Sequence, residues 1–192
     1  MNTDAQLIEA FVASFSRSDE CIVYTRDVDP VGWELRTGEI VAGGGHRWQA
    51  RRVLTHPSAL NEVYAKLPAP LPPLYQQLIL TYRYAEVDLG RMRLLANPPG
   101  SDLIGLLGEM FKDEALIQTL IPKGYIPFGK GPGLNYDPVC FDLRHRTKDG
   151  DYRIVRLDHE AILCDEHLQV VGELATSFCA LVLQVVGTLE QK

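Results

Sequence analysis

Apolar residues follow a helical period near both ends of the chain and a two-residue period between them. Leu7, Ile8, Phe11, Val12 and Phe15 share one helical face, which predicts an amphipathic helix over residues 4–16. CIVYT (21–25) and GEIVA (38–42) read as short strands on either side of the turn-rich DVDPVG, and the glycines at 43–45 form a flexible break. Pro57 or Ser58 then suits a helix start over 58–66, closed before Pro68. Pro72 and Pro73 suit the first turn of the next helix, in which Leu74, Tyr75, Leu78, Ile79 and Tyr82 make an apolar stripe.

RMRLLA (91–96) alternates like a strand, Ser101 and Asp102 can cap a helical stretch through Met110, and Asp113 with Glu114 starts a short helix that ends before Pro122. YIPF (125–128), VCFDLR (139–144) and DYRIVRLD (151–158) are strand candidates, the last two joined by a turn at Asp149-Gly150. Val171, Leu174, Phe178, Leu181 and Val185 predict one long closing helix over 167–187. This order predicts an α+β fold, a mainly antiparallel sheet flanked by helices. Residues 1–55 read as an N-terminal extension of helix and strands packed on the main domain, residues 56–192.

Composition narrows the function. With 46% hydrophobic and 23% charged residues the chain can bury a substantial core. A net charge of −6 argues against nucleic acid, and HRWQARR (46–52) reads as a solvated, amphipathic face. No apolar run approaches a membrane span, and the acidic start lacks a secretory pattern, so a cytoplasmic location is expected. The four scattered cysteines, Cys21, Cys140, Cys164 and Cys179, are expected to be reduced, mostly buried thiols.

The stretch GYIPFGKG (124–131) is one residue from a phosphate-binding loop. Such a loop needs a helix N-terminus directly after it, and Pro132, Gly133 and Pro138 oppose one. Pro127 has no amide to give, so the stretch reads as a strand entering a glycine-rich turn, with Lys130 facing solvent. Asp158-His159-Glu160 reads as a strand end, where His159 would point away from the two carboxylates and the three could not share a ligand. Cys164 and His167 have half of a zinc spacing and lack a second pair. Cys140 sits in an apolar strand, and no G-x-S-x-G or H-E-x-x-H occurs. The residues therefore imply no catalytic centre, no metal and no cofactor.

From residue 58 onward the chain resembles the SUKH superfamily, a group that includes a fungal cell-wall-synthesis regulator and many bacterial immunity proteins. The likeness rests on Leu67-Pro68 and Leu71-Pro72 before a Tyr/Leu helix, Pro127-Phe128-Gly129, and Gly133 to Asn135. Asp142, Asp158-His159-Glu160 and Ser177-Phe178 complete it, in that order. LNYDP departs from the pattern by inserting Asp137-Pro138, and residues 1–55 have no counterpart. The resemblance implies a non-enzymatic protein-binding domain whose partner is a toxin encoded nearby, masked by one-to-one binding; a regulatory scaffold is the alternative and an enzyme the third. The partner-binding candidates are Lys130, Asn135, Tyr136 and Asp137 in the turn, with Glu86 and Asp88 after the second helix.

Overall fold

The computed structural model describes residues 3–16, 22–23 and 34–189. In chain order the first elements are α1 (Asp4–Ser16), β1 (Ile22–Val23), β2 (Arg36–Ile40), β3 (His46–Trp48), β4 (Arg51–Arg52), α2 (Leu60–Tyr64) and α3 (Pro73–Thr81). The short strands β5 (Tyr82–Arg83), β6 (Val87–Asp88) and β7 (Arg93–Leu94) follow, then α4 (Ile104–Met110) and α5 (Glu114–Leu120). The chain closes with β8 (Tyr125–Lys130), β9 (Pro138–Arg146), β10 (Tyr152–Leu157), α6 (His159–Asp165), β11 (Val170–Ala175) and α7 (Phe178–Leu189). The fold is α+β. Its centre is a six-stranded antiparallel sheet in the order β11-β10-β9-β8-β7-β6, with helices against it. Strands β1, β3 and β2 form a second sheet, and β4 pairs with β5. The parts of CIVYT beyond Ile22–Val23, and the DVDPVG turn, lie outside the described residues.

Strand alternation assigns the two faces of the main sheet. Ile126, Phe141 and Ile154 are cross-strand partners on one face, and Tyr125, Asp142 and Arg153 on the other. The first face meets α3 and α7 in an aromatic cluster. Phe128 stacks on Phe141 with centroids 4.0 Å apart, and Tyr75 meets Phe128, Phe141 and Phe178 edge-on at 5.6, 5.4 and 5.2 Å. Ile8, Phe11, Val12 and Phe15 of α1 belong to this same core. The second face is covered by α5 and α6, through Leu116, Leu120 and Ile162 against Tyr125, Cys140, Val155 and Leu157. Because both faces are covered, the first five residues of β9 are all buried, which is why PVCF is apolar and the Asp142 that follows is ion-paired. Among the described residues no helix is long and apolar enough to cross a membrane.

Two expectations fail near the C-terminus. The predicted helix over 167–187 is a strand, β11, followed by a helix that starts at Phe178. Adjacent Val170 and Val171 with Gly172 disfavour helix and suit an extended segment. Ser177 Oγ accepts from the Ala180 amide at 3.0 Å, and the buried Asp151 accepts from Phe178 and Cys179 at 3.0 and 3.1 Å. Those caps fix the helix start. Asp158-His159-Glu160 is likewise no strand end: Asp158 accepts the Ala161 amide at 3.0 Å and N-caps α6.

Candidate functional site

The turn between β8 and β9 is the point on which the polar side chains at this end of the sheet converge. Register places Arg93 of β7 beside Lys130 of β8, and both reach Glu86. Arg93 Nη1 donates to Glu86 Oε1 at 2.8 Å and Lys130 Nζ to Oε2 at 3.3 Å. Arg93 also spans the turn, donating through Nε to the Gly131 carbonyl at 3.0 Å and through Nη2 to the Asn135 carbonyl at 2.9 Å. Its guanidinium lies 5.8 Å from the centroid of the Tyr136 ring, within cation–π range.

The turn is also braced from within. The Gly131 amide donates to the Asp137 carbonyl at 2.9 Å, and the Asn135 amide to the Pro132 carbonyl at 3.1 Å. Asn135 Oδ1 accepts the Asp137 amide at 2.6 Å, while its Nδ2 donates to Asp137 Oδ2 at 3.0 Å. Only glycine fits at position 131, where a Cβ would overlap the Asn135 side chain. Gly129 is held in the same way by the Arg93 carbonyl, 2.7 Å from where its Cβ would sit.

Asp137 ties the turn to β10 and α6. Its Oδ1 lies 2.8 Å from His159 Nδ1 and 3.1 Å from the His159 amide, and Oδ2 lies 3.5 Å from Arg156 Nε. Burial works against its ionisation, but hydrogen bonds from His159 and Asn135 outweigh it and hold the carboxyl below its usual range. The ionised carboxylate only accepts, so His159 Nδ1 carries the hydrogen. Ligand-capable atoms of Asp137, Asp158 and His159 fall within 4.8 Å of one another. The sequence-based expectation that His159 turns away from Asp158 is thereby corrected, because the helical start brings them together. A cation at that point would compete with Arg156 for Asp137 and with the α6 cap for Asp158.

The structure gathers Glu86, Lys130, Asn135, Tyr136 and Asp137 into one region. Asp88 is the cross-strand partner of Arg93, with its carboxylate accepting the Gly90 amide at 2.7 Å in the β6–β7 turn. Lys130 is not a solvent-facing turn residue. It is the last residue of β8, paired with Arg93 and Pro138, and partly buried. With β8 paired on both sides, its backbone is engaged in strand ladders, which accords with reading GYIPFGKG as a strand. Gly124 ends the preceding turn at φ 82°.

Sequence reasoning missed Arg93 and Leu134. Nothing local marks Arg93, since its targets are about forty residues away in the chain. Leu134 does carry a signal: an aliphatic residue between glycine and asparagine in a turn has no core to enter, and it is 86% exposed, with Tyr136 at 58%. The surface is therefore a hydrogen-bonded frame that projects one aliphatic and one aromatic side chain. No protein-family model matches the chain, and no curated protein matches it.

Proposed function

We propose that this chain is a non-catalytic protein-binding domain that neutralises a toxin protein by one-to-one occlusion, with residues 131–137 as the contact loop. The observation that carries the reading is the rigid turn presenting Leu134 and Tyr136 to solvent. A loop fixed before binding loses little conformational freedom on association, and exposed Tyr with an aliphatic neighbour is the composition of a binding hot spot. The likeness to the SUKH superfamily supplies the toxin as partner. Glu86 and Lys130 lie at the rim of the loop, where charge sets partner choice and encounter rate more than affinity.

The test is co-expression with toxin candidates from the same gene neighbourhood, followed by titration of the purified pair. The wild-type chain restores growth and binds one-to-one. Leu134→Ala with Tyr136→Ala loses rescue and weakens binding at least about 30-fold, the loss of a hot-spot residue of about 2 kcal/mol. Equal protection by the double variant would remove the loop from the interface. Failure of every neighbouring toxin to be neutralised would sink the immunity reading.

A further inference from the structure

The far end of β9 holds a second constellation, unconnected with the contact loop. Arg153 of β10 pairs with Asp142, yet its neighbour Tyr152 pairs with Arg146, so residues 143–145 are looped out of the β9–β10 ladder. Bulges of this kind re-aim side chains and recur beside functional sites. Here the bulge turns Arg144 and His145 back over Asp142, whose side chain is fully buried. Arg144 grips it with two prongs, Nε to Oδ1 at 2.8 Å and Nη2 to Oδ2 at 3.1 Å, and its amide donates to Oδ1 at 3.2 Å. Arg153 Nη2 reaches Oδ2 at 2.6 Å and His145 Nδ1 at 3.0 Å. Arg144 also donates to the Tyr125 hydroxyl and lies 4.5 Å over that ring.

One carboxylate thus anchors two guanidiniums and an imidazole. Burial opposes its charge, but the hydrogen bonds from Arg144 and Arg153 hold it ionised far below the usual carboxylate range. Glu173 offsets part of the surplus, 3.6 Å from Arg153 Nη1. Outward from this anchor the side chains of Arg144 and His145 are 52% and 51% exposed, and Arg146 and Lys148 are exposed beyond them. The segment LRHRTK (143–148) contains no acidic residue, Asp151 is turned inward to cap α7, and Asp149 opposes the field at the turn. A positive ridge therefore stands on a chain whose net charge is −6.

We propose that this ridge binds an extended acidic segment of a protein, with Arg144 and Arg146 each receiving a carboxylate and Lys148 completing the run. Arg144 spends its Nε and Nη2 on Asp142 and keeps Nη1, and the Arg146 guanidinium lies 6.0 Å from the Tyr152 ring centroid, so each offers a charge-assisted hydrogen bond to an incoming carboxylate. The line of cations fits such a segment better than a single phosphate, which needs donors converging on one point. The acidic balance of the whole chain disfavours nucleic acid.

The test uses the full chain and a ten-residue oligo-glutamate peptide, followed by backbone-amide NMR shifts at low ionic strength. Saturable shifts confined to residues around 143–153 are expected, with affinity falling steeply as salt is added. Arg146→Gln with Lys148→Gln, which leaves the Asp142 anchor intact, weakens binding about tenfold or more. Arg144→Gln weakens it further and is scored only if its circular dichroism matches wild type. The absence of shifts, equal binding by oligo-lysine, or unchanged affinity in the Arg146/Lys148 double variant would each overturn the proposal. Saturation by inorganic phosphate at lower concentration than the peptide would overturn it as well, by making the site a single-anion pocket.

Discussion

Replacing Arg93 by methionine tests whether the contact loop is held in shape before any partner arrives. Methionine retains an apolar stem and removes the guanidinium, so β7 keeps its packing while the turn loses its strut. Two hydrogen bonds are deleted directly, to the carbonyls of Gly131 and Asn135. The Gly131 residue is buried, and leaving its carbonyl unpaired costs about 1–3 kcal/mol. Asn135 is only half-buried, so water replaces most of what is lost there, about 0.5–1 kcal/mol. Glu86 keeps Lys130 as a partner and adds little. Together these give about 1.5–4 kcal/mol, or a rise of about 10- to 700-fold in the rate at which the turn opens to exchange. The assay is native-state hydrogen exchange of the Gly131 and Asn135 amides, which are protected by the Asp137 and Pro132 carbonyls. Both accelerate in the variant, while amides of the β9 interior follow only the change in global stability. A folded Arg93→Met protein in which the turn amides exchange at the wild-type rate would refute the claim that Arg93 pre-organises the loop.

Three further outcomes follow from the packing and the charges. Gly129→Ala loses about 1–3 kcal/mol in urea unfolding, because the new Cβ meets the Arg93 backbone carbonyl as well as the Met92 side chain, and the carbonyl cannot move aside. Phe178→Ala removes the ring shared by Tyr75, Phe128 and Phe141 and lowers stability by about 3–5 kcal/mol, whereas Leu134→Ala, almost fully exposed, changes it by less than about 0.5 kcal/mol. Asp137 and Asp142 both ionise more readily folded than unfolded. The stability they contribute is therefore complete above about pH 4, the unfolded carboxylate range, and is lost as pH falls through their folded values. Acid titration of unfolding free energy should accordingly be steeper below about pH 4 for wild type than for Asp142→Asn, and equal slopes would contradict the pairing.

The parts of this fold that could be read in the sequence are those whose periodicity and caps agree. The helix over 4–16 was legible because Ile8, Phe11, Val12 and Phe15 repeat at helical spacing and all four are buried. Strand β9 was legible because Val139, Cys140 and Phe141, covered on both faces, form an apolar run. The stretch 167–187 misled because one apolar stripe serves two elements. Leu174 and Phe178 are both buried, but Leu174 comes from the sheet and Phe178 from the helix that follows, while Val171 stays partly exposed. Spacing alone cannot separate a strand running into a helix from one helix. The paired valines and Gly172 could have done so, as could Ser177 at the cap. For the site, the family resemblance pointed to Asn135 through Asp137, but Arg93 was invisible because its role exists only after β7 and β8 pair.

The chemistry of the loop suits the binding role proposed for it. A catalytic carboxylate or imidazole works by having hydrogen-bonding capacity that a substrate can use. Asp137 engages both oxygens within the protein, one with His159 and the other with Asn135 and Arg156. Arg93 engages its nitrogens with Glu86 and two carbonyls, and Asn135 its amide with Asp137. Each of these groups fixes backbone. What the arrangement leaves facing water is Leu134 and the Tyr136 ring, which can bury area and accept little else. A polar network that supports two exposed apolar side chains is what a binding loop requires, since the cost of ordering it has been met during folding and is not repeated at the interface.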